Sequence, residues 1–185
     1  IIGSGIAGIT AAHTIREHDA LAEISVYTSE VHPIGLYARK DLARQFAAGK
    51  SEMNDLLIAG EADLAAQNIR LEYEEIITVF PHLQQVLKAR HLRHPYDRLL
   101  IASGATPRLV EAPGLHYIGV HQLRNYEDLS LIEAWMPELM SRGAVVIGGG
   151  ILGVDMVFAL HRRGVPTTLV ARDERLGYPA VAQAD

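Results

Sequence analysis

The chain has 185 residues, 49% of them hydrophobic and 21% charged, enough apolar material for a sizeable core and too balanced a composition for disorder. A formal net charge of -5 and a pI near 6.0 offer no broad attraction for nucleic acid or anionic lipid. With no cysteine, disulfides, thiolate metal sites and redox-active cysteine pairs are excluded within these residues.

The opening stretch, IIGSGIAGIT, places Gly3, Gly5 and Gly8 directly after strand-like Ile1 and Ile2, with Ile6 and Ala7 inside the turn. A glycine-rich turn between a strand and a helix lets backbone amides approach a diphosphate, whose charge then lies on the helix N-terminus. The same spacing also makes an ordinary tight turn. Residues 11–18 read as a short helix and Glu23 to Tyr27 alternate like a strand, completing one strand-turn-helix-strand unit. After a loop with His32, Pro33 and Gly35, residues 40–48 and 54–67 are expected to be helical, punctuated by Gly49 and Gly60. Short β-branched or alternating stretches at 69–73, 76–80 (containing Ile77), 86–89 and 98–102 predict a small sheet. Thr106-Pro107 and Ala112-Pro113-Gly114 break the chain before a helix expected over 125–140, where Trp135 and Met136 read as packing residues.

At AVVIGGGILGVD the opening pattern returns: strand 144–147, then Gly148, Gly150 and Gly153 around Ile151 and Leu152, a helix over 154–163 and a strand over 167–170. Two copies in this context imply two nucleotide-bearing coenzymes. The expected fold class is therefore α/β, with two Rossmann-like (doubly wound, three-layer) nucleotide-binding domains over 1–110 and 111–185 and a crossing around 108–120. Because the chain opens on a strand and stops early in its second domain, it is expected to be an incomplete fragment. No apolar run reaches the roughly 18 residues of a membrane span, and no secretion signal opens the chain, which makes the cytoplasm the expected location.

Between the two turns lies PYDRLLIASGATPR, and upstream of it YARKDLARQFAAGK. With the glycine turns, these stretches resemble the flavin-dependent pyridine nucleotide-disulfide oxidoreductase superfamily over essentially the whole chain. The first carries Tyr96, Asp97, Leu99, Ala102, Ser103, Gly104 and Pro107, with Ser103 where the family pattern has Thr. Tyr37, Arg39 and Leu42 of the second are similar to the non-disulfide group of rubredoxin reductases, ferredoxin reductases and nitrite reductase flavin domains. The resemblance implies FAD in the first domain, NAD(P)H in the second, and Arg39 and Arg44 near the flavin, where a cation favours the reduced anion. A solvated helix start is the competing reading of both arginines. Gly49-Lys50-Ser51 ends like a P-loop, but Arg44 stands where the first glycine belongs, so ATP is not expected.

An acid that hydrogen-bonds a ribose is expected at the end of the second strand of each unit. In the first unit that place is taken by Thr28, with Glu30 two residues on, either a ribose ligand or a surface charge. In the second it is Ala171, followed by Arg172 and Asp173. Arg172 offers a partner for the 2'-phosphate of NADPH, and Asp173 keeps NADH open. Asp155 falls where the family places an acid near the nicotinamide; a helix N-terminal acid favoured by the dipole is the alternative. His91 and His94 lack acidic or thiol company, and no metal site is expected.

The reading as a whole is an NAD(P)H-dependent FAD oxidoreductase in which hydride passes from nicotinamide to flavin and electrons leave to a protein or small acceptor. No side-chain nucleophile is required for that chemistry. The acceptor expected from the resemblance is rubredoxin, ferredoxin, or a fused or associated reductase domain. The alternative is a flavin- or NAD(P)H-binding regulatory module with little turnover.

Overall fold

The computed structural model describes residues 1–30, 36–37, 39–50, 52–107, 112–172 and 176. The expectations for His32, Pro33, Gly35, Ser51 and Asp173 lie outside those residues. Contacts divide the chain into two compact units, Ile1–Tyr37 with Leu57–Thr106, and Ala38–Leu56 with Pro107–Asp185. A single boundary near residue 110 does not describe this division, because 38–56 groups with the later residues.

In the first unit, helix α1 (Ile6–His18) follows the glycine turn and leads into β1 (Ile24–Thr28). Its polypeptide continues through β2 (Leu36–Tyr37), and after α2 (Leu42–Ala47) and α3 (Met53–Leu56) it resumes at β3 (Leu57–Ala59), α4 (Glu61–Ala66) and β4 (Ile69–Tyr73). β1 and β4 pair in parallel, and Ile2 bridges in parallel to both Tyr27 and Ile101, so β1 lies between β4 and the opening residues. On one face Ile9 and Ala12 of α1 pack with Leu64 of α4 against Ile24, Val26 and Ile69. The other face is turned toward an antiparallel sheet of β5 (Ile76–Phe80), β6 (Gln85–Lys88) and β7 (Arg93–Pro95). There the Tyr27 ring meets the His94 ring edge-on at 6.0 Å, and Lys88, paired with Glu74 at 3.3 Å, stands over the Tyr27 ring at 5.2 Å. The alternation of β1 thus sends Val26 to the helices and Tyr27 to the second sheet, giving three layers.

The helix expected over 54–67 is two helices separated by a strand. Leu57–Ala59 pairs antiparallel with Leu36–Tyr37, and Gly60, whose N–H donates to the Asp63 carboxylate at 2.8 Å, starts α4 afresh. Apolar Leu56 and Leu64 fit a continuous helical stripe, but the strand partner comes from a distant stretch that periodicity does not register. Of the strand expected at 98–102 only Ile101 bridges, with Ile2, whereas β7 was not expected.

The second unit contains α2 and α3, then α5 (Tyr126–Ala134), α6 (Met136–Arg142), β8 (Ala144–Ile147), α7 (Ile151–Arg162) and β9 (Thr167–Val170). The helix expected over 125–140 breaks at Trp135, because Pro137 lacks the N–H of a helix interior and is accommodated only in the first turn of α6. β8 and β9 pair in parallel, and α7 connects them on one face. Val145, Ile147 and Val170 share the opposite face and are half or more exposed.

Arg16, near the end of α1, uses all five of its N–H donors on main-chain carbonyls. Nε donates to Gln67 O at 2.8 Å, Nη1 to Asp19 O at 3.1 Å and Ala20 O at 2.8 Å, and Nη2 to Ala22 O at 2.8 Å and Asn68 O at 2.9 Å. One side chain therefore closes the ends of α1 and α4 against the starts of β1 and β4. Replacing Arg16 by Met is expected to lower the unfolding free energy by about 2 kcal/mol, and Lys to restore part of it. Denaturant unfolding of the full-length protein measures both.

Candidate functional site

The two glycine turns are built alike. Gly3 has φ +108° and Gly148 φ +125°, a region open to glycine and strained for other residues. The Gly3 N–H donates to Tyr27 O at 2.8 Å and the Gly148 N–H to Val170 O at 2.8 Å, so each turn hangs on the next parallel strand. A Cβ on Gly8 would collide with the Gly3 carbonyl, and one on Gly153 with that of Gly148. At Gly5 and Gly150, by contrast, a Cβ would meet nothing within 4 Å.

Gly5 and Gly150 are the N-caps of α1 and α7, both extended and both without a side-chain cap. Neither helix carries an acid in its first turn. The first amides of each helix therefore face open space with the positive end of the dipole behind them, an arrangement suited to a diphosphate. Ile6, Ala7, Ile151 and Leu152, beside the openings, are all exposed.

Around the first turn the structure brings Ala102 into place. Its N–H donates to Ile2 O at 2.7 Å, its carbonyl lies where a Cβ on Gly3 would fall, and Ser103 and Gly104 follow, exposed, with Gly104 at φ +74°. Thr28 is placed differently from a ribose ligand. It is 5% exposed, accepts a hydrogen bond from the buried Ser4 hydroxyl at 2.9 Å, and accepts the Glu30 N–H at 3.2 Å. The hydroxyl is occupied in fastening the turn to β1, and Glu30, partly exposed, follows two residues on. Ser4 was not singled out from the sequence; a small polar residue inside the glycine turn was its only signal. Next to Thr28 in register, Tyr73 donates to Glu61 at 3.1 Å. Burial and that bond push its hydroxyl up to about 12. Burial also raises Tyr27, so both phenols stay neutral near pH 7.

Ile77 is 47% exposed on β5. Arg39 opens a 3-10 turn ahead of α2, and Arg44 pairs with Asp41 at 3.0 Å; both group with the second unit. Asp155 is exposed on α7, and Arg172 is exposed beyond β9. A Cβ on Gly149 would lie 2.8 Å from that of Ala171, so this contact selects small residues where the usual ribose acid is missing. Among the described residues no three His, Cys, Asp or Glu side chains gather as a metal site, and no helix is long and apolar enough to cross a membrane. A groove lined by Arg16, Leu21, Glu23, Arg70 and Glu72 lies at the opposite ends of β1 and β4 from the glycine turn.

Two strand-hung glycine turns, each opening on an uncapped helix, are matched by a family profile described as pyridine nucleotide-disulphide oxidoreductase, over residues 1–184. The chain belongs to this family. Among curated members of known name it is similar to rhodocoxin reductase of Rhodococcus erythropolis, 28% identical over 95% of this chain and 40% of that protein. Among solved structures it is similar to NADH:rubredoxin oxidoreductase of Clostridium acetobutylicum, with a TM-score of 0.78 and 27% identity over 92% of this chain and 43% of the other. It is also similar to the covalent putidaredoxin reductase-putidaredoxin complex, with a TM-score of 0.81 and 27% identity over 95% and 42% of the two chains. The chain thus spans about two fifths of the length of the family members it matches.

The geometry separates the glycines by role. Gly8→Ala drives a methyl into the Gly3 carbonyl and is expected to cost about 3 kcal/mol or more of stability, whereas Gly5→Ala, in open space with a common φ, stays within about 0.5 kcal/mol of the parent. Thermal unfolding of the two variants side by side checks the contrast.

Proposed function

We propose that the protein carrying this chain is an NAD(P)H-dependent FAD oxidoreductase that hands electrons to a protein or small acceptor without a redox-active disulfide. The observation that carries this reading is the pair of open backbone cradles, at Gly3–Gly8 and Gly148–Gly153, alike in geometry and each free of side chains at its middle glycine. The chemistry of the bound pair is hydride passage from nicotinamide to flavin. The residues bind and orient. Gly3, Gly5, Ile6, Ala7 and Gly8 hold the diphosphate of FAD, Glu30 takes its ribose, and Ile77 with Ala102, Ser103 and Gly104 borders it. Arg39 and Arg44 add positive charge on the flavin side. Gly148, Gly150, Ile151, Leu152 and Gly153 hold the nicotinamide coenzyme, with Asp155 toward its nicotinamide end and Arg172 toward its adenosine ribose.

The absence of cysteine from the sequence supports the non-disulfide branch, since thiol exchange needs a sulfur pair. The names of the similar proteins, reductases of rhodocoxin, rubredoxin and putidaredoxin, support a small electron-carrier protein as acceptor. We place the enzyme in the cytoplasm, where reduced nicotinamide coenzymes are drawn from the metabolic pool.

Anaerobic mixing of the full-length, FAD-loaded protein with NADH and with NADPH tests the reading. The flavin absorbance is expected to bleach with at least one coenzyme; a yellow colour that persists with both leaves only a binding module. Gly150→Ala is expected to raise the half-saturating coenzyme concentration about tenfold without loosening FAD, because its methyl enters the space of the diphosphate. Arg172→Glu is expected to weaken NADPH about tenfold relative to NADH, and unchanged selectivity assigns Arg172 no part in the choice.

A further inference from the structure

The two glycine turns touch the strands beside them through different atoms at one corresponding place. Gly3 bonds to Tyr27 as Gly148 does to Val170, so Ser4 corresponds to Gly149 and Thr28 to Ala171. In the second unit that contact is hydrocarbon, and a Cβ on Gly149 would lie 2.8 Å from that of Ala171. In the first it is a hydrogen bond. Ser4 Oγ donates to Thr28 Oγ1 at 2.9 Å, and both residues are buried, at 4% and 5% exposure.

Burying two hydroxyls is unfavourable unless they are bonded, and the second unit brings turn and strand together without them. The turn itself therefore does not require the pair. What Thr28 adds is a second bond: its Oγ1 also accepts the Glu30 N–H at 3.2 Å. This side-chain-to-backbone turn fixes the main chain just past β1. Two hydrogen bonds in series thus run from Ser4, between the first two glycines of the cradle, through Thr28 to the backbone of Glu30. The alternation of β1 makes the path possible. Tyr27 turns to the second sheet, so Thr28 beside it turns to the side of α1 and the glycine turn.

We propose that Ser4 and Thr28 are positioning residues for flavin binding, holding the Glu30 main chain where its carboxylate takes the adenosine ribose and registering that place against the diphosphate cradle. The proposal rests on the assignment of Glu30 to the FAD ribose made above. A glutamate fixed before the ligand arrives loses less freedom on binding, and the gain appears as affinity. The second unit, where Ala171 replaces the threonine and Arg172 follows, has neither hydroxyl.

The test compares FAD dissociation constants of full-length apoprotein variants, read by quenching of flavin fluorescence, with thermal unfolding of the same apoproteins. Ser4→Ala combined with Thr28→Val removes both hydroxyls and leaves an apolar contact like that of the second unit, so the unfolding temperature is expected to stay close to the parent's. FAD affinity is expected to fall about tenfold. Thr28→Ser, which keeps the acceptor, is expected to bind FAD within about twofold of the parent. In a Glu30→Ala background the paired substitution is expected to cost less than about twofold more, because the side chain it positions is already gone. Ser4→Ala alone, which leaves Thr28 its bond to Glu30, is expected to show a smaller loss with the same dependence on Glu30 and serves where the paired substitution does not fold. A loss of FAD affinity that is equal with and without the Glu30 side chain, or no loss at all, overturns the proposal and leaves the pair a structural contact. Parental FAD affinity in Glu30→Ala overturns it together with the ribose assignment. A parent protein that takes up no FAD ends the proposed function as well, whereas the other failures leave that function standing.

Discussion

The fold of both units hangs on a short piece of backbone in which a glycine amide is captured by the next parallel strand. Gly3 donates to Tyr27 and Gly148 to Val170, and in each case the glycine five positions on lies against the carbonyl of the first. No side chain can enter that contact, so helix and strand approach at backbone distance. The helix then begins at once, at Ile6 or Ile151, and its first amides are left without a side-chain partner. Unsatisfied donors at the positive end of a dipole carry a standing free-energy cost, which an anion relieves. Turn and helix start are one constraint seen from two sides, and the open amides that it leaves suit an anion.

The two copies differ where their surroundings differ. At the first, Ala102 closes over Gly3, Ser4 and Thr28 share a buried hydrogen bond, and a second sheet covers the far face of β1. At the second, a Cβ on Gly148 would meet nothing within 4 Å, and the outer face of β8 and β9 is exposed among the described residues. The strand ends diverge too. Glu30 stands beyond Thr28, while Ala171 packs on Gly149 and is followed by Arg172. An acid favours a ribose hydroxyl and an arginine favours a phosphate, so under the function proposed above this divergence is one of ligand chemistry rather than of fold.

Elements whose sequence contains its own stop and start signals were legible. The strands at 24–28, 69–73, 144–147 and 167–170 each adjoin a helix, and local periodicity was enough to find them. The N-terminal limits of α1 and α7 were read too late, because glycines and bulky residues in the turn hide a helix that starts inside it. The split of 54–67 by β3 and the appearance of β7 depend on partners elsewhere in the chain, which single-segment patterns do not contain. The candidate site followed the same division. The glycines were visible as spacing, whereas the burial of the Thr28 hydroxyl by Ser4 became apparent only with both strands in place.

From residues alone came the two glycine turns, the α/β class and the absence of cysteine from these residues, since each depends on local spacing or on which atoms are present. Folding in three dimensions decided the rest: that the Thr28 hydroxyl is buried against Ser4, which carbonyls gather around Arg16, and that Arg163, the C-cap of α7, fastens α2. Those outcomes are set by contacts between residues far apart in the chain. Their energies depend on distance and direction in space, and a linear order of side chains does not encode either until the backbone has closed.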